Sequence, residues 1–217
     1  LPKSQPVTIE YKNQEGATLK ASATIEKKYG EEYDVETDNG GTLLPNFDYY
    51  TIEALPGNKS GTVTDEPQTV VIKYLGDLVG ETTGKVTAQY LNQAQDELTA
   101  EIPATGNGRY GSPYSTVQKD FSNYDFVEVD PTGATQNGTY SNTPQTVKFK
   151  YKGHPVGDDG KVHVSYINQE GVAIADEVEA IGDELVGSHF TTVKPEIENY
   201  EFKSAELDGQ AVTEIPV

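Results

Sequence analysis

Val7-Thr8-Ile9-Glu10-Tyr11-Lys12-Asn13-Gln14-Glu15-Gly16 returns as Val86-Thr87-Ala88-Gln89-Tyr90-Leu91-Asn92-Gln93-Ala94-Gln95, and again as Val162-His163-Val164-Ser165-Tyr166-Ile167-Asn168-Gln169-Glu170-Gly171. The three tyrosines stand 79 and 76 residues apart. A period of that size marks a tandem array of small domains. Within the phrase, Val7, Ile9 and Tyr11 alternate with Thr8, Glu10 and Lys12, the period-two pattern of a half-buried strand. Asn-Gln-Glu-Gly then reads as a hairpin turn, with Gly16 and Gly171 supplying positive φ. Gln95 stands in that place in the second copy, so a different turn is expected there.

The repeat extends outward from the phrase. Gln68-Thr69-Val70-Val71-Ile72-Lys73-Tyr74 matches Gln145-Thr146-Val147-Lys148-Phe149-Lys150-Tyr151, and each follows a proline, Pro67 or Pro144. Gly61-Thr62 matches Gly138-Thr139. Gly30-x-x-Tyr33, Gly111-x-x-Tyr114 and Gly187-x-x-Phe190 align mid-repeat. Tyr50-Thr51-Ile52, Tyr124-Asp125-Phe126 and Tyr200-Glu201-Phe202 align later. Repeats are therefore placed at 6–75, 85–152 and 161–217, with Gly-rich linkers at 76–84 and 153–160. Leu1-Pro2-Lys3-Ser4-Gln5 reads as a further linker. The third repeat lacks a Gln-Thr-Val phrase and is expected to be without its last strand, as in a piece of a longer array. Each repeat is expected to be a sheet of four or five mainly antiparallel strands. One or two helical turns are expected near Glu31–Glu36 and Ser112–Lys119.

Composition narrows the function classes. The 217 residues contain no Cys, Met or Trp. Disulfides, thiol catalysis and thiolate metal sites are thereby removed. The net charge of −19, from 35 acidic and 16 basic residues, opposes nucleic acid and anionic membranes. No apolar run approaches the roughly 18 residues of a membrane span. His154, His163 and His189 fall at unrelated repeat positions, and no catalytic set can be assembled from them. Asp158 and Asp159 offer carboxylate oxygens of the kind Ca²⁺ takes, but Asp-Asp-Gly is equally a turn. No other cofactor is implied.

In this order and spacing, Val-x-Val-x-Tyr, x-(Asp/Asn)-x-x-Gly, Gly-x-x-Tyr, Tyr-x-Phe and Thr-Val-x-x-x-Tyr resemble the MucBP (mucin-binding protein) repeat of Gram-positive cell-surface proteins. The first repeat departs from it at Asp38-Asn39-Gly40-Gly41-Thr42-Leu43-Leu44-Pro45, which reads as an insertion. The resemblance implies tandem ubiquitin-like β-grasp modules and an extracellular, wall-anchored location. It further implies binding to mucin or host glycoprotein glycans, and the short Gly-rich linkers, each with an apolar residue, lead to the expectation of a monomeric rod. Two readings stand: a non-catalytic adhesin acting by weak multivalent contacts, or a stalk that carries another domain. Sugar rings stack on aromatic faces. Tyr33, Tyr114 and Phe190 recur as aromatics and read as core, which leaves Tyr29 and Tyr110 as the candidate ligand-binding pair.

Overall fold

The computed structural model describes residues 3, 5–80 and 83–212. Parts of the expected linkers (Leu1, Pro2, Ser4, Glu81 and Thr82) and the end of the third repeat, 213–217, lie outside the described residues. The chain divides into two compact units. The first is Leu1–Ala88, Ile102–Val117 and Pro131–Val147; the second is Gln89–Glu101, Gln118–Asp130 and Lys148–Val217. The division passes through the second repeat.

The first repeat contains β1 (Val7–Asn13), β2 (Thr18–Ile25), β3 (Glu32–Asp34), β4 (Tyr50–Ala54), β5 (Ser60–Thr62) and β6 (Gln68–Gly76). Its main sheet runs β2-β1-β6-β4. β1 pairs antiparallel with β2 and parallel with β6, from Val7↔Gln68 to Asn13↔Tyr74. A parallel pair needs a long crossover, here supplied by everything between β2 and β6. First and last strands parallel at the sheet centre give the strand order of a β-grasp module. Alternation holds along β1: Val7, Ile9 and Tyr11 are buried, as are Val70, Ile72 and Tyr74 of β6. Phe47 stands edge-on to Tyr74 at 4.9 Å, and the Tyr74 hydroxyl donates to Pro45 O at 2.7 Å. An aromatic ring thus fills the core while its polar tip stays satisfied.

The expected helical turns at 31–36 and 112–119 do not form. Glu32–Asp34 instead pairs with Ser60–Thr62, while Tyr33 packs across Gly61. A Cβ at Gly61 would lie 3.2 Å from the Tyr33 hydroxyl. The recurrent Gly-Thr pair is therefore the floor beneath the recurrent aromatic. Cross-strand contact with glycine outweighs local helix propensity. In the insertion, Asp38–Gly41 makes a 3-10 turn whose Asp38 pairs with Lys27 at 2.6 Å, and Leu43 enters the core.

The second repeat contains β7 (Val86–Leu91), β8 (Glu97–Pro103), β9 (Thr105–Gly106), β10 (Pro113–Ser115), β11 (Tyr124–Val129), β12 (Asn137–Thr139) and β13 (Gln145–Gly153). The order β11-β13-β7-β8 repeats that of the first sheet, and β10 pairs with β9 and β12. Tyr114 packs across Gly138, as Tyr33 does across Gly61. In the second unit Tyr90 stacks on Phe149, 5.2 Å apart and 9° from parallel. The turn after β7 matches the first despite Gln95. That residue takes φ +68, where Gly16 has φ +81. A non-glycine residue holds this conformation at a cost of about 1–2 kcal/mol, met by the hydrogen bonds of Asn92 described below.

The third repeat contains β14 (His163–Ile167), β15 (Ala173–Glu179), β16 (Ile181–Gly182), β17 (Phe190–Thr191), β18 (Ala205–Leu207) and β19 (Gln210–Val212), paired two by two. Tyr200-Glu201-Phe202, the stretch that aligns with β4 and β11, forms no strand. Its counterparts β4 and β11 pair only with β6 and β13, and no such strand occurs among the described residues here. Phe190, buried as Tyr33 and Tyr114 in the other copies, is 38% exposed.

Candidate functional site

The Asn-Gln phrase does more than turn the chain. Asn13 Oδ1 accepts from the backbone N–H groups of Glu15 (3.0 Å) and Ala17 (2.8 Å), closing an Asx turn. That turn holds Gln14 outward from the end of β1. Gln14 Oε1 accepts from Gly76 N–H at 2.9 Å. Its Nε2 donates to Tyr110 O at 2.9 Å and to Ser112 Oγ at 2.8 Å. One amide thereby ties the end of the last strand of repeat one to the Gly-x-x-Tyr loop of repeat two, all within the first unit.

The second unit repeats the arrangement atom for atom. Asn92 Oδ1 accepts from Ala94 and Asp96, each at 2.9 Å. Gln93 Oε1 accepts from Gly153 N–H at 2.9 Å, and its Nε2 donates to Val186 O (3.0 Å) and Ser188 Oγ (2.8 Å). The linkers join in. Val79 N–H donates to Gly108 O and Tyr110 N–H to Asp77 O; Val156 N–H donates to Glu184 O and Val186 N–H to His154 O. His189 Nε2 lies 2.9 Å from Asp96 Oδ2 at this second joint.

Glycines permit the close approach. A Cβ on Gly76 would stand 2.0 Å from Tyr110 O, and one on Gly153 2.0 Å from Val186 O. The Gly of Gly-x-x-Tyr has φ +80 at Gly111 and +76 at Gly187, with tyrosine hydroxyls (Tyr50 and Tyr124) over each. Replacing Gln14 by alanine is expected to cost about 1–2 kcal/mol at the joint, the scale of a lost part-buried hydrogen-bond set. The check is amide hydrogen exchange at Gly76, which should quicken several-fold while Ile72 stays protected.

Tyrosines gather at the first joint. Tyr110 meets Tyr49 at 4.9 Å, tilted by 35°, and Tyr50 edge-on at 5.2 Å. Tyr49 is 45% exposed, and Asn142 Nδ2 donates to its hydroxyl at 2.6 Å. Arg109, the chain's one arginine, donates from Nη1 to Gly76 O at 2.9 Å. Tyr140 is buried, its ring 5.5 Å from Tyr114, and burial raises its hydroxyl pKa. The equivalents of Tyr49 and Tyr110 at the second joint are Asn123 and Val186, so the aromatic pair belongs to the first joint.

The structure does not bring Tyr29 and Tyr110 together. Tyr29, 51% exposed, follows β2 at the end where Ile25 pairs with Val7, whereas Tyr110 sits near the Gly76 end. The seven residues of β1 separate these ends, about 20 Å. Asp158 and Asp159 form a 3-10 turn. No group of three or more His, Cys, Asp and Glu converges as a metal site among the described residues.

Three stretches, 6–75, 85–152 and 161–215, match the family model of the MucBP domain. The chain belongs to the MucBP domain family. Two internalin J proteins of Listeria monocytogenes are similar to it, 27% identical over 197 residues in strain F2365 and 26% over 199 in strain EGD-e. Each alignment covers 91% of this chain and a fifth of the relative, 20% and 21%. Among solved structures, the type 2 repeat of the mucus binding protein MUB from Lactobacillus reuteri is 11% identical, covering 69% of this chain and 99% of that one. Its TM-score is 0.25. A pair of streptococcal SHIRT domains from a cell surface protein is 13% identical, covering 70% of this chain and 99% of that one, at TM-score 0.26.

Sequence reasoning read the Asn-Gln phrase of these MucBP repeats as architecture and missed its glutamine. A signal was present. A solvated turn accepts almost any polar residue after the asparagine, yet glutamine stands there in all three copies.

Proposed function

We propose that this chain is a non-catalytic adhesin region of a bacterial surface protein, extracellular and wall-anchored, that binds mucin or host glycoprotein glycans. Membership of the MucBP family carries the reading. The half-exposed Tyr49 beside Tyr110, with the Asn142 amide, supports it: two rings are available to stack on a neutral sugar and an amide to hold its hydroxyls. Tyr29, at the aligned position of the first repeat, offers a second, weaker contact. Such shallow platforms bind weakly, and repetition converts weak contacts into avidity.

The test is capture of purified mucin by the 217-residue protein clustered on beads. Saturable capture that falls at least tenfold on deglycosylation supports the reading, as does a similar fall for Tyr49→Ala. No capture at any bead density would overturn it. A stalk role has its own support in the identical glutamine ties at both joints, which fix neighbouring repeats to one another. A stalk would leave mucin unbound and yet respond to Gln14→Ala.

A further inference from the structure

The chain enters and leaves the main sheet of the first repeat at opposite ends of one strand pair. It enters at Val7, the start of β1, and leaves at Gly76, the end of β6. Because the two strands run parallel, Val7 lies beside Gln68 and Asn13 beside Tyr74. A pull along the chain therefore drags β1 back past its Val7 end and β6 forward past its Gly76 end. The strands are made to slide past each other. All seven residue pairs are loaded side by side, and the evenly spaced bonds of a parallel ladder share that load. They must give way together within a slide of roughly 3.3 Å, one residue repeat. An antiparallel hairpin pulled from its open ends loses its bonds one after another.

The surroundings strengthen the pair against such a slide. β2 flanks β1 and β4 flanks β6, so neither strand of the ladder is an edge strand. Beneath it Val7, Ile9, Tyr11, Val70, Ile72 and Tyr74 are at most 1% exposed, which keeps competing water from stretched bonds. Gln14 continues the ladder beyond Asn13, its Oε1 accepting from Gly76 N–H at 2.9 Å. The chain has no cysteine, so no disulfide takes tension in place of these bonds. We propose that the first repeat has a load-bearing function, with the β1–β6 pair as a shear clamp against tension along the chain. The clamp holds the repeat at its folded length under pulls that would peel an antiparallel pair. The inference holds whether the array binds mucin or only carries another domain.

Pulling the same protein in two directions tests it, since forced unfolding reads the unfolding barrier and not the equilibrium stability. Without native cysteines, two introduced thiols can carry the handles of a single-molecule force measurement. In the 217-residue protein, Lys3→Cys with Thr83→Cys loads the clamp along its strands. Ala17→Cys with Thr83→Cys loads it from one end, because Ala17 follows Asn13 and Thr83 follows Gly76. All three positions are exposed, so the two variants differ in the direction of load and in little else. The rupture force of the first variant is expected to be at least twofold that of the second at equal pulling speed, and to come as one event. Equal forces, or the larger force in the second variant, overturn the proposal. So does a stepwise release of the first variant at low force, which would show the strands being peeled singly.

Discussion

Gly76→Ala is expected to open the first joint, at a cost of about 3 kcal/mol to the contacts that hold it. The new methyl carbon would start 2.0 Å from Tyr110 O, backbone against backbone, and no rotamer change can relieve that. The two segments must part by more than about 1 Å to reach ordinary contact. Parting them lengthens three interactions together: Gln14 Nε2 to Tyr110 O, Arg109 Nη1 to Gly76 O, and Tyr110 N–H to Asp77 O. Each is worth roughly 0.5–1.5 kcal/mol. Amide exchange at Tyr110 and Gly76 reads the effect directly. Gly57→Ala is the control, since a Cβ there meets nothing within 4 Å, and it should change stability by less than about 0.5 kcal/mol. If Gly76→Ala behaves like Gly57→Ala, the joint is looser than described. Gly153→Ala should repeat the result at the second joint, where the obstructing atom is Val186 O.

Raising the pH from 10 to 12 is expected to unfold the first two repeats. Burial pushes the Tyr74 hydroxyl up to about 12, and it raises Tyr11, Tyr90, Tyr140 and Tyr151 as well. An unfolded tyrosine ionises near 10. Between those values the folded state holds protons that the unfolded state has lost. The stability that depends on these neutral hydroxyls is therefore complete below pH 10 and falls as pH climbs through the folded pKa values. The slope is up to about 1.4 kcal/mol per pH unit for each group. Tyr11 and Tyr74 act on the first repeat, and Tyr90, Tyr140 and Tyr151 on the second. Domains of this size have only a few kcal/mol to lose. Tyrosinate absorbance and far-UV circular dichroism should change together in a steep transition above pH 10. A smooth titration centred at 10 with unchanged dichroism would refute the account.

The fold was legible where residues obey a period. β1, β7 and β14 were readable because Val, Ile and Tyr alternate with polar residues, and β6 and β13 for the same reason. The β3 and β10 strands were not, since three-residue pairings leave no periodic trace. They form because Tyr33 and Tyr114 each find a glycine across the strand. Of the candidate binding pair, Tyr110 was legible as an aromatic out of the core series. Its partners Tyr49 and Asn142 were not, because they stand 61 and 32 residues away from it in the chain. The part of Gln14 and Gln93 in the joints was hidden for the same reason: hydrogen bonds across more than 90 residues leave no local pattern.

Repetition and alternation were thus enough to mark out three repeats, their longer alternating strands and the family they belong to, because periodic burial writes itself into neighbouring residues. Folding settled what the recurrent Asn-Gln is for. Asparagine shapes each turn through local bonds, and glutamine reaches a glycine and a carbonyl that only the tertiary structure brings within 3 Å.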